Sequence, residues 1–126
     1  MLDDSVQDES GRNEVLQELI VFSPPVRVSF NPSSLEFEFV PPSVHMKGPG
    51  RVHLQRDGDD PQWKFVVGIV KEDSAGQFSS AVRAQGAILH IHDEFRKLGT
   101  FQYKILVELG GQYYMSTDPV IVNEPP

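Results

Sequence analysis

The sequence predicts an all-β domain, an antiparallel sandwich of about eight or nine short strands, from three observations. Apolar residues alternate with polar ones over most of the chain after residue 24. Gly, Pro, Asn and Asp clusters break that alternation at short intervals, and no long stretch carries the 3.6-residue period of a helix. A small β-barrel uses the same pattern and is the alternative architecture.

The first 23 residues stand apart. Asp3, Asp4, Asp8, Glu9, Glu14 and Glu18 face only Arg12 up to residue 22, a net −5 of the chain's −7. With no apolar periodicity over residues 1–13, this part reads as an acidic, flexible segment preceding a domain over residues 24–126. Residues 14–22 fit either a helical face built from Val15, Leu16, Leu19 and Ile20 or a short strand over Leu19 to Phe22. Pro24 and Pro25 end either structure.

Val26, Val28 and Phe30 then point inward, opposite Arg27 and Ser29, up to a turn at Asn31, Pro32 and Ser33. Leu35, Phe37 and Phe39 alternate with Glu36 and Glu38 until Pro41 and Pro42 interrupt the strand. Residues 43–50 read as a loop. Val52 and Leu54 turn inward, and Asp57 to Pro61 form a strong turn. Trp63 to Val70 is a strongly apolar strand, interrupted by Gly68 and expected to be central to the core, and Asp73 to Gly76 is the next turn. Phe78 to Arg83 and Ala87 to Ile91 are the last strands before a terminal hairpin. In that hairpin Phe101, Tyr103, Ile105 and Val107 share one face, Gly110 and Gly111 turn the chain, and the return leads to Val120–Asn123. Phe30, Phe37, Phe39, Phe65 and Phe101 are the expected aromatic core.

The stretch Leu98, Gly99, Thr100, Phe101, Gln102, Tyr103 resembles the late strand of immunoglobulin-like and cupredoxin-like sandwiches, where a glycine precedes alternating aromatics. The resemblance implies the architecture alone. Phe101 stands where immunoglobulin domains place the tyrosine-corner hydroxyl, and Tyr103 where they place a disulfide cysteine. The ending, with Tyr113, Tyr114, Asp118 and Pro119, also looks like that of small bacterial sandwich proteins of unknown function.

Composition excludes several chemistries. The chain has no cysteine, so it has no disulfide, thiolate nucleophile, zinc–thiolate site or cysteine-ligated blue-copper centre. Its bases are scattered singly along the strands, a pattern unlike a phosphate-binding surface, so nucleic acid is not an expected partner. No run of apolar residues reaches membrane-spanning length. The acidic N-terminus lacks the basic start and apolar run of a secretion signal, so cytoplasmic residence is the expectation.

His90, His92 and Glu94 are the candidate metal ligands. Residues two apart on a strand share a face, so two imidazoles and a carboxylate form a row while Leu89, Ile91 and Phe95 face the core. Gly86, His90-Ile91-His92 and Gly99 resemble part of the first cupin motif, which implies a divalent transition metal. Glu94 falls closer to His92 than cupin spacing requires, and no second motif follows. His45 or His53 supplies a further ligand only if folding brings it alongside. Asp57, Asp59 and Asp60 read as a solvated turn rather than a calcium loop, because no bidentate glutamate follows at the required distance. No serine sits in a nucleophile elbow, and no glycine loop cradles phosphate. Tyr113 and Tyr114 are adjacent, so one faces outward as a candidate partner anchor. The expectation is a non-catalytic interaction module without a cofactor, binding another protein or a copy of itself as a homodimer; the alternative is a cupin-like metalloprotein.

Overall fold

The computed structural model describes residues 21–126, and within them two β-sheets face each other without closing into a barrel. The strands are β1 (Val21–Phe22), β2 (Val26–Asn31), β3 (Glu36–Val40), β4 (Ser43–Met46), β5 (Gly50–Arg56) and β6 (Lys64–Val70). They continue as β7 (Phe78–Arg83), β8 (Ile88–Asp93), β9 (Gly99–Leu109), β10 (Gln112–Met115) and β11 (Val120–Asn123), with a single 3-10 turn at Ala84–Gly86. The all-β sandwich expected from patterning is the fold of the chain.

The first sheet runs β3-β2-β5-β8-β7, and β1 pairs with β5 beyond the end of β2. Ser23, Pro24 and Pro25 therefore separate two pieces lying along the same edge of β5, and the described part of the sheet includes Val21, three residues before residue 24, where the domain was expected to start. The expected choice between helix and strand for residues 14–20 lies outside the described residues. In the second sheet the long strand β9 carries β6 on one edge, and β10 followed by β11 on the other, with β4 beyond β11. Most pairs are antiparallel, but β1–β5, β2–β5 and β4–β11 are parallel, so both sheets are mixed.

Parity sets the core. Val26, Val28 and Phe30 of β2, Val52 and Leu54 of β5, and Leu89 and Ile91 of β8 meet Phe65, Tyr103, Ile105, Val107 and Ile121 from the second sheet. Each is buried, as sheet-on-sheet packing requires of alternate residues. Gly68 faces this layer; a Cβ there would lie 3.1 Å from Leu89 Cδ2, so the glycine lets the Leu89 and Ile91 side chains fill the space. The β9–β10 hairpin turns at Gly110 and Gly111, both at positive φ (59° and 80°), the conformation of a two-residue type I′ turn.

Three expectations are corrected. Leu35 is 57% exposed rather than inward: it sits at φ 63° in the β2–β3 turn with its N–H donated to Asn31 O, and β3 starts one residue later. The expected loop at residues 43–50 contains β4, because Val44 and Met46 are buried in the core between the sheets while β11 supplies the ladder that makes β4 part of the second sheet. Asp60 is no solvated turn residue. Its Oδ2 accepts from Trp63 Nε1 at 2.8 Å and from Phe30 N at 2.7 Å, tying the turn to the buried indole and to β2.

Candidate functional site

The described residues carry two outward-facing sheet surfaces of different chemistry. On the first sheet, antiparallel register sets His53 of β5 opposite His90 of β8, and Arg51 opposite His92. Ser79 and Ala81 of β7 flank His92 and His90 from the other side. His53 Nδ1 lies 3.0 Å from His90 Nε2, so one imidazole donates to the other. The rings of His90 and His92 are 6.3 Å apart, centroid to centroid. Both are half-buried, and burial, followed by the positive charge of Arg51, holds both below the ordinary imidazole pKa. Arg83 acts in the same direction on each.

The expected row of His90, His92 and Glu94 is only partly assembled. The imidazoles sit on the outer face as parity requires, but Glu94 lies past the end of β8, exposed, with its Oε1 2.6 Å from Arg96 Nη2. His53 stands beside His90, whereas His45 is on β4 and pairs with Glu124 at 3.2 Å. Among the described residues no group of three or more His, Asp or Glu side chains is arranged to hold a metal ion. A cavity of about 640 Å³ beside β2 and β3, lined in part by Asn31, Glu36, Glu38 and Asp60, contains none of these imidazoles.

On the second sheet the outer face is apolar at its centre. The register places Val67 of β6, Leu106 of β9 and Met115 of β10 in one row across three strands. Ile69 pairs with Lys104 on one side of that row, and on the other Glu108 pairs with both Lys64 and Tyr113. A bulge between Phe65 and Val67 adds Val66 to the surface. Ile69, Met115 and Tyr113 are 45%, 48% and 64% exposed, so three large apolar or aromatic side chains meet water on one face.

The two neighbouring tyrosines part as their alternation demands. Tyr113 faces outward, while Tyr114 is half-buried with its ring centroid 5.0 Å from that of Phe30. Only Tyr113 belongs to the exposed face. Val67, Ile69, Leu106 and Met115 were not singled out from sequence, although a signal was present: Leu106 is the apolar member of the otherwise polar series Gln102, Lys104, Glu108.

No helix among the described residues is long and apolar enough to cross a membrane. No protein-family model matches the chain, and the search of curated proteins finds no match to its sequence.

Proposed function

We propose that the chain is a non-catalytic interaction module whose contact surface is the outer face of the second sheet. The observation that carries this reading is the row Val67–Leu106–Met115, half-buried at Val67 and Leu106 and exposed at Met115, flanked by exposed Ile69 and Tyr113. Contiguous apolar surface on a folded domain is costly in water and marks where another surface seats. Tyr113 adds a rigid ring with a polar tip, the side-chain type favoured at such contacts. Cytoplasmic residence belongs to the same reading and is checked by cell fractionation. The central test is the double variant Leu106→Glu, Met115→Glu, which changes only the outer face. Self-association and affinity-captured partners should both be lost while the thermal melt stays within a few degrees. If both association properties match those of the unmodified protein, the reading fails.

The juxtaposition of His53 and His90 favours a second reading, a divalent transition metal bound through these two imidazoles with His92 nearby. Metal analysis of untagged protein, and calorimetric titration with zinc or nickel against His53→Ala, separates it from the first.

A further inference from the structure

We propose that the surface seated on this face is a second copy of the same chain, packed sheet against sheet about a two-fold axis that runs along the row Val67–Leu106–Met115. The inference rests on the reading of that face as a contact surface and adds the identity of its occupant.

It follows from the placement of charge. On β9, Lys104 and Glu108 stand two residues to either side of Leu106 and share its face. A two-fold axis along the apolar row leaves that row over itself, Leu106 against Leu106, and exchanges the flanking rows. Lys104 of one copy then lies over Glu108 of the other, and the same pair forms again across the axis. Lys64, in the row of Glu108, falls over Ile69 of the second copy, where its methylene stem covers the exposed apolar side chain. No like charges are opposed among Lys64, Lys104 and Glu108. A face with an apolar centre and opposite charges at equal spacing on either side is complementary to itself, which an isologous interface requires.

Both charged residues also have contacts within the chain. Lys104 Nζ is 3.9 Å from Asp118 Oδ1, and Glu108 Oε2 accepts from Gly111 N at 2.7 Å. These contacts hold the two side chains over the sheet and bear on the design of the test.

The test uses two single charge reversals, Lys104→Glu and Glu108→Lys, examined separately and as an equimolar mixture by analytical ultracentrifugation. The unmodified protein should sediment as a dimer. Each reversal alone opposes like charges twice across the axis and should weaken dimerisation at least tenfold. In the mixture, one chain of each kind forms two attractive pairs, so a heterodimer of near-original affinity should return. Recovery on mixing cannot come from a folding defect in either variant, since both chains are unchanged by being combined. A monomeric unmodified protein at the highest soluble concentration, or a mixture no tighter than its components, overturns the proposal. If captured partners of another kind still depend on Leu106 and Met115, the contact-surface reading survives and only the second copy is lost; if they do not, both fall.

Discussion

Asp93 of β8 and Asn123 of β11 join the two sheets through a buried hydrogen bond, Asn123 Nδ2 donating to Asp93 Oδ1 at 3.1 Å. Both residues are 2% exposed. Around them Gln77 Oε1 accepts from the backbone N–H groups of Arg96 and Lys97, and Asn123 Nδ2 also reaches Lys97 O. Two acceptors in this knot, Asp93 Oδ2 and Asn123 Oδ1, have no partner. A buried, half-satisfied carboxylate is expensive, and burial raises the Asp93 pKa above its ordinary value.

The pair yields the first prediction. In Asp93→Asn the new amide keeps its oxygen on Asn123 Nδ2 and can donate to Asn123 Oδ1, replacing two unpartnered acceptors with a reciprocal amide pair. Stability at pH 7 should rise by about 1 kcal/mol. The native state binds the Asp93 proton more tightly than the unfolded chain does, so this residue makes stability fall as pH rises from about 3.8 through the raised native value. Urea unfolding across that interval should show the contribution in the unmodified protein and its absence in the variant. A variant less stable than the parent at pH 7 would count against this account.

The imidazole row predicts the opposite slope. His90 and His92 resist protonation in the folded chain, so the unfolded chain takes up protons first as pH falls below about 6.5. Their contribution is complete above that pH, is lost through the interval down to the lowered native values, and levels off below them. The difference in unfolding free energy between pH 7.5 and pH 5 should be smaller in the double variant His90→Gln, His92→Gln. An identical difference in both proteins removes the imidazoles as its source.

Asp60 is expected to matter more than a turn residue. Asp60→Ala strands the indole N–H of fully buried Trp63 and the N–H of Phe30, at a cost of about 2–4 kcal/mol. Asp60→Asn retains an acceptor oxygen and should recover part of that loss. Denaturant midpoints of the three proteins, compared at constant slope, decide it.

Gly86 is fixed by both conformation and space. It lies at φ +94°, and a Cβ would sit 2.6 Å from Lys64 Cβ. Gly86→Ala must move either the 3-10 turn or the start of β6, and a loss of about 2 kcal/mol or more is expected from strain and overlap together. An unchanged melting temperature would show that the turn shifts freely.

Side-chain parity made the core legible in advance. Phe101, Tyr103, Ile105 and Val107 are buried as alternation requires, as are Val52 with Leu54 and Leu89 with Ile91. Parity is a property of one strand, however, and the features that were missed depend on relations between strands. The contact of His53 with His90 follows from the β5–β8 register, and the row Val67–Leu106–Met115 from two registers and a bulge. Asp93 carries no motif and draws no attention in the sequence, although its odd number places it with Leu89 and Ile91 on the inner face. β4 escaped because the five residues between a proline pair and Gly48-Pro49-Gly50 are too few to establish a period, and its ladder partner lies far along the chain.

That last pairing has a consequence for biogenesis. β4 has β11 as its one ladder neighbour among the described strands. While a ribosome is still adding residues, the backbone amides and carbonyls of Ser43–Met46 wait, hydrated and unmatched, until translation has passed Asn123. Closure of the second sheet is therefore a late event on the nascent chain, and a stall anywhere before Val120 leaves an open strand edge for chaperones to guard.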